Sequence, residues 1–227
     1  MRGPYARWIL PRLTDLAMRS AVVRAERARR VPAARGEVLE VGVGSGLNLA
    51  FYGAGVRQLH ALDASPELLA MARRRASGLA FPVDFLEGSA EAIPLAASTV
   101  DWVVTTWTLC TIPQPGRALD EMRRVLRADG RLLFIEHGRS PDPGVSRWQD
   151  RLTPLWRRVT GGCHLNRPID RLLSRAGFEV IELEQSYVAG PRVGGYFYRG
   201  VARSVAPTPG SGRRAGESRA REASHGT

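Results

Sequence analysis

Five short β-rich runs separated by helical runs, followed by two more strand-like runs with no helix between them, predict an α/β protein. The expected sheet has seven strands and is mainly parallel, with a C-terminal antiparallel hairpin strand and helices on both faces. A chain of 227 residues with 44% hydrophobic and 24% charged content suits one globular core rather than a disordered or fibrous chain.

The elements follow in order. Residues 1–36 are expected to form a basic, amphipathic helical arm or lid. Tyr5, Trp8, Ile9, Leu13, Leu16 and Ala17 recur at three- and four-residue spacing, while Arg7, Arg12 and Arg19 lie largely elsewhere. A very basic helical stretch over 21–30 ends at Pro32. Strands are expected at 37–41, 58–62, 83–87, 100–105 and 132–136. Helices are expected directly after Gly46, over 66–77 and over 115–126. A helix over 168–176 closes at Gly177, and strands at 178–183 and 193–201, lacking a crossover helix, should pair antiparallel. The body thus spans 37–203. Residues 204–227, rich in Pro, Gly, Ser, Arg and Glu, are expected to be disordered.

Charge narrows the function classes. Lys and Arg total 33 against 22 acids, a formal charge of +11, and there is no lysine at all. Arginine is no Schiff-base amine, so lysine chemistry is excluded; the bias itself reads as the mark of a GC-rich genome. Residues 1–36 carry +7 and the tail +2, leaving +2 on the body. A nucleic-acid binder would carry its basic excess on the folded body, so no nucleic-acid partner is expected. Cys110, Cys163 and four histidines make neither a disulfide framework nor a spacing that suggests a metal, so no metal is expected. No signal-peptide pattern is read at the N-terminus and no apolar run is long enough for a bilayer. The expected location is cytoplasmic, with peripheral membrane contact through the N-terminal helix left open.

The first strand runs into Glu40-Val-Gly42-Val-Gly44-Ser45-Gly46, where glycines at alternate positions let the backbone turn sharply and a ligand approach closely. A dinucleotide loop needs its third glycine where Leu47 stands, which favours an adenosine ligand without a pyrophosphate. Asp63 at the end of the second strand can accept hydrogen bonds from ribose hydroxyls.

These residues, with Leu62-Asp63-Ala64-Ser65-Pro66, Glu87-Gly88-Ser89-Ala90-Glu91-Ala92-Ile93-Pro94, Val100-Asp101-Trp102-Val103-Val104 and the Glu121 to Gly130 run, resemble the class I S-adenosylmethionine-dependent methyltransferases, Rossmann-like enzymes of the type 11 methyltransferase domain. The resemblance implies S-adenosylmethionine as cofactor. It implies binding by Glu40, Gly42, Gly44, Ser45, Gly46 and Asn48 around the methionine part and Asp63 with Ala64 at the ribose. Ser89, Ala90 and Glu91 would lie by the adenine, and Thr106 with Trp107 by the methionine and acceptor. Many family members have Asp where Ser89 stands. Glu136-His137-Gly138, Trp148-Gln149, Pro154-x-Trp156 and Gly161-Gly162-Cys163-His164-Leu165 are similar to a branch whose animal members are membrane-associated thiol S-methyltransferases, and residues 5–19 resemble bacterial relatives, some labelled phospholipid N-methyltransferases. A bacterial protein is expected, acting by in-line methyl transfer on a small apolar or lipid-like acceptor: a thiol, an amine or a quinol. The alternatives are a catalytically silent cofactor-binding partner protein and a phospholipid or quinone methyltransferase at the membrane surface.

Methyl transfer from a sulfonium mainly needs alignment and a dry site. An acceptor that must lose a proton needs a base, and His137 after the fifth strand and His164 in the glycine-rich loop are the candidates. Trp148 and Trp156 could wall an apolar acceptor pocket, while Cys110 and Cys163 are expected to pack.

Overall fold

The computed structural model describes residues 4–205. The expected disorder of the tail lies outside the described residues beyond Val205. Seven strands form one sheet in the order β3-β2-β1-β4-β5-β7-β6. They are β1 (Gly36–Val41), β2 (Val56–Asp63), β3 (Val83–Glu87), β4 (Val100–Thr106), β5 (Leu126–His137), β6 (Phe178–Tyr187) and β7 (Tyr196–Ser204). β1 to β5 pair in parallel, and β7 runs antiparallel to both β5 and β6. The seven-stranded, mainly parallel sheet with its C-terminal hairpin strand is therefore as the sequence predicts.

Alternation along the central strands sorts the core into two layers, because successive side chains of a strand point to opposite faces. Leu39, Val103, Leu132 and Phe134 join one cluster; their neighbours Val38, Val104, Leu133 and Ile135 join the other. α4 (Pro115–Val125) and α6 (Ile169–Arg175) cover the first face with Leu119, Met122, Ile169 and Leu173, and α3 (Pro66–Arg75) covers the second with Leu69 and Ala72. At the start of α3 the Ser65 hydroxyl accepts the Leu68 N–H at 3.3 Å and Pro66 needs no partner for a missing N–H, so the chain is primed to become helical just past Asp63.

Two segments depart from the reading of the sequence. The helix expected after Gly46 is only a 3₁₀ turn over Leu49–Phe51, because Tyr52 leaves helical backbone (ψ 132°) and reaches inward with its hydroxyl to Glu40 at 2.9 Å. A 17-residue helix, α5 (Pro143–Val159), covers a stretch for which the sequence predicts no element. Asp142 caps it by accepting the Gly144 N–H at 2.8 Å, and Gln149, fully buried, ties it to the Ser140 and Gly138 backbone and to Val193 in the β6–β7 connection. The N-terminal segment is helical as expected: a π-helical turn Tyr5–Ile9, α1 (Leu10–Ala17) and α2 (Ala21–Arg30).

Candidate functional site

At the C-terminal ends of β1, β2 and β4, where ligands of open parallel sheets sit, the chain encloses a cavity of about 530 Å³. One wall is the turn after β1. Gly42, Gly44 and Gly46 all have positive φ (75°, 56° and 83°), a backbone that glycine adopts without strain. Their surroundings differ. A Cβ on Gly42 would strike the Thr108 side chain at 2.3 Å and one on Gly46 the Ala72 Cα at 2.9 Å, whereas one on Gly44 meets nothing closer than 4.0 Å. Gly44 thus fronts open space in the cavity, and Gly46 is the packing contact that brings the turn against α3.

Asp63 holds this turn. Its carboxylate accepts the Gly44 N–H and the Ser65 N–H, each at 2.8 Å, and leaves lone pairs for a ligand. Burial raises its pKa, opposed by those backbone bonds. Behind the turn lies Glu40, 1% exposed, whose oxygens accept from Asn48 at 2.8 Å and Tyr52 at 2.9 Å. Burial outweighs these bonds and the nearby Arg27 guanidinium and pushes the Glu40 carboxyl up to about 8. Arg27 of α2 donates to the Asn48 side-chain oxygen at 2.8 Å and lies 4.9 Å from the Trp107 ring; burial brings it down to about 10. Asn48 also donates to Thr106 Oγ1 at 3.0 Å.

The opposite wall is α1, through Leu10, Pro11, Thr14, Asp15 and Met18. Asp15 fastens this helix to the glycine turn: it accepts the Ser45 hydroxyl at 2.6 Å and pairs with Arg75 at 2.9 Å and Arg19 at 2.6 Å. Burial pushes its carboxyl up, but those three donors outweigh it and hold it below its ordinary value. Trp107, just past β4, has φ +50°, a rare conformation for a large side chain, and packs edge-on against Phe197 at 5.7 Å. Asp15, Arg27 and Tyr52 were not singled out from the sequence. Nothing in their local spacing marks them, since their roles arise from contacts between distant elements.

Of the residues named from the sequence for the cofactor, Glu40, Gly42, Gly44, Ser45, Asn48, Asp63, Ala64, Ser89, Ala90 and Thr106 line this one cavity. Two do not. Gly46 serves packing, and the Glu91 carboxylate accepts the Gln114 N–H at 2.7 Å at the start of α4 instead. The two histidines expected at the acceptor do not line this cavity. His137 is 9% exposed with Nε2 3.1 Å from Cys163 Sγ, and its Nδ1 is buried with no partner among the described residues. Burial pulls its pKa down, but Cys163 and Glu136 outweigh burial and leave it raised. His164 packs Nδ1 on the Cys110 carbonyl at 3.2 Å, and its pKa is lowered by burial. Nor do Trp148 and Trp156 wall the pocket: they stand on the outer side of α5, 55% and 42% exposed.

The cavity suits S-adenosylmethionine. A Cβ-free cradle at Gly44 admits a ligand to the backbone, Asp63 can take a diol, and the acidic groups of Asp63 and Glu40 on its wall suit a ligand with cationic sulfonium and ammonium groups, which would favour their ionised forms. Comparison with known proteins agrees. Residues 39–134 match a family model described as a methyltransferase domain. The chain is 32% identical to the thiol S-methyltransferase TMT1B of Rattus norvegicus over 65% of its own length, and spans 62% of that relative. It is 31% identical to a phosphatidylethanolamine N-methyltransferase of Cereibacter sphaeroides, covering 70% of this chain and 78% of the relative. Among solved structures, an S-adenosylmethionine-dependent methyltransferase of Thermotoga maritima, titled a possible histamine N-methyltransferase, superposes with a TM-score of 0.63 at 20% identity over 87% of this chain and 98% of its own.

Proposed function

Because this chain belongs to the S-adenosylmethionine-dependent methyltransferase family, we propose that it transfers a methyl group from that cofactor, by direct in-line displacement, to a small apolar or lipid-like acceptor: a thiol, an amine or a quinol. The observation that carries the reading is the single cavity in which the glycine turn, Asp63, Glu40 and the underside of α1 meet.

When bound, the cofactor supplies a methyl group on a positively charged sulfur with a thioether as leaving group. The chain's part is to hold and dry. The turn would offer its backbone at Gly44, Asp63 would take the ribose hydroxyls, and Glu40, largely protonated below about pH 8, would offer a hydrogen-bonding group that a cationic ligand can ionise. α1 closes the site from above and Trp107, Ile112 and Pro113 line it with apolar surface, which excludes water. With neither histidine in the cavity, alignment of a neutral amine or an already ionised thiol is the main contribution.

The acceptor is proposed to arrive from a membrane surface, with the protein itself inside the cell. Trp8, Ile9, Leu13 and Leu16 are 50–69% exposed, and Trp148, Leu155, Trp156 and Val159 are exposed on α5, whose C-terminal end meets the N-terminal helix where Tyr5 donates to the Val159 carbonyl at 2.7 Å. The same two helical segments carry exposed Arg7, Arg12, Arg151 and Arg158, a combination of apolar and basic side chains suited to an anionic lipid surface. No helix among the described residues is long and apolar enough to cross a membrane.

The test is equilibrium dialysis with labelled S-adenosylmethionine, then an acceptor screen by mass spectrometry with alkyl thiols, hydrogen sulfide, phosphatidylethanolamine vesicles and quinols. Absence of binding, or undiminished binding in Asp63→Ala, would overturn the reading; tight binding with no methylated product would favour the silent partner protein. Sedimentation with anionic vesicles, wild type against a Trp8→Glu, Leu16→Glu double variant, tests the membrane face; equal partitioning rules it out.

A further inference from the structure

Outside the cavity, three side chains with metal-binding chemistry converge from separate parts of the chain. Cys110 lies beyond β4, His137 ends β5, and Cys163 is in the loop after α5; one donor atom from each lies within 4.8 Å of the other two. Sequence spacing gave no hint of this, since only the order of strands brings β4 and β5 side by side and the loop over them. We propose that Cys110, His137 and Cys163 bind a borderline-soft divalent cation, zinc foremost.

The distances are those of a coordination site in outline. Two thiolates sharing a tetrahedral zinc at about 2.3 Å lie about 3.8 Å apart. The two Sγ atoms here are 3.8 Å apart. The His137 Nε2 to Cys163 Sγ distance of 3.1 Å is about 0.4 Å short of a tetrahedral N–S edge, so the imidazole and thiol must part slightly as the ion enters. Two cysteines and one histidine are the donor set that zinc accepts with a fourth position left for water or an outside ligand. Each thiol gives its proton to solvent on binding.

The surroundings fit such an ion. The Cys110 stretch is held in place beforehand: the Glu136 carboxylate accepts the Thr108 and Leu109 N–H groups, both at 3.0 Å, and Arg167 donates to the carbonyls of Leu109 and Ile112. Charges balance as well. Two thiolates neutralise the cation, and buried Glu136 and Arg167 offset each other. His164, against the Cys110 carbonyl, has its pKa lowered by burial and by the nearby Arg167 and Arg157 guanidinium groups. Thr108, Thr111 and Ile112 on one segment and Thr160 and Gly161 on another line the cofactor cavity, so the ion would tie two parts of its wall together.

The experiment uses the full chain, reduced and stripped of metal, titrated with Co²⁺. The expected result is about one cobalt per chain, with thiolate-to-cobalt charge-transfer absorption and the intense visible bands of a tetrahedral site, displaced by an equivalent of Zn²⁺. Zinc should also raise Tm in the wild type. Cys163→Ser, at a partly exposed position, should fold, lose the charge-transfer absorption and lose the zinc-dependent rise in Tm; Cys110→Ser should do the same where it folds. Cobalt spectra that persist unchanged in Cys163→Ser would overturn the proposal. So would a reduced wild type, its two free thiols confirmed by intact mass, that binds no cobalt.

Discussion

Replacing Glu40 by glutamine keeps the shape and one acceptor oxygen for Asn48, its amide NH2 donating to the Tyr52 hydroxyl oxygen instead of accepting from it, but removes a carboxyl group that the fold buries to 1% exposure. Burial pushes that carboxyl from an ordinary 4.5 up to about 8. The folded chain therefore holds a proton that the unfolded chain releases, so the wild type loses stability as pH rises between those two values and levels off above the upper one. The slope is about 1.4 kcal/mol per pH unit over that window. Integrated from pH 6 to 8 it comes to about 2 kcal/mol, which for a chain of this size lowers Tm by roughly 4 to 8 °C. Thermal or urea unfolding of wild type and Glu40→Gln across this range should give curves that diverge as pH rises, the variant becoming the more stable. Since all other titrations are shared, the difference isolates this one group. Parallel curves would refute the reasoning and mean that Arg27 and the two donors hold Glu40 ionised at neutral pH. A cationic ligand in the cavity favours the ionised carboxylate, so S-adenosylmethionine affinity in the wild type should gain on that of the variant as pH rises toward about 8, the ligand's own ammonium titration being common to both.

Gly44→Ala and Gly46→Ala should fail differently. Both incur about 1–2 kcal/mol of backbone strain at positive φ. Gly46→Ala adds a clash with Ala72 of about 1–3 kcal/mol and should show mainly as a lower Tm, while Gly44→Ala should show mainly as lost cofactor binding; identical profiles would argue against the assigned roles. Asp63→Asn keeps one acceptor oxygen for the turn but loses its charge, and dialysis should record at least a tenfold weaker cofactor affinity. Asp15→Ala strands the Ser45 hydroxyl and the Arg75 and Arg19 guanidinium groups, so α1 should lift from the turn. Limited proteolysis near Met18 should then accelerate, and about 2 kcal/mol of stability should be lost; an unchanged cleavage rate would count against α1 as the cavity's cover.

The strands were legible in the sequence because a parallel sheet covered on both faces demands runs such as Val100 to Thr106, and because glycine at Gly42, Gly44 and Gly46 is a local conformational requirement. Asp63 was legible for a related reason, since the strand's end delivers it to the turn within one βαβ unit. The short turn over Leu49–Phe51 was not, because what ends the helix is Tyr52 reaching a buried carboxylate, a choice made by tertiary contact over local propensity. α5 was not legible, because its two tryptophans face outward and Pro154 sits inside it, so its strongest residues break the pattern expected of a buried helical face.

By itself, then, the sequence determined the sheet, the glycine turn and the acid beside it, features decided over a few residues by φ, pleat and cap. Only the tertiary structure decided that α1 forms a wall of the cavity through Asp15, that His137 stands apart from it, and that Cys110, His137 and Cys163 share one point. Those outcomes depend on where distant segments pack, and long-range packing is set by the sum of many weak contacts and carries no local spacing that a reader of the chain could recognise.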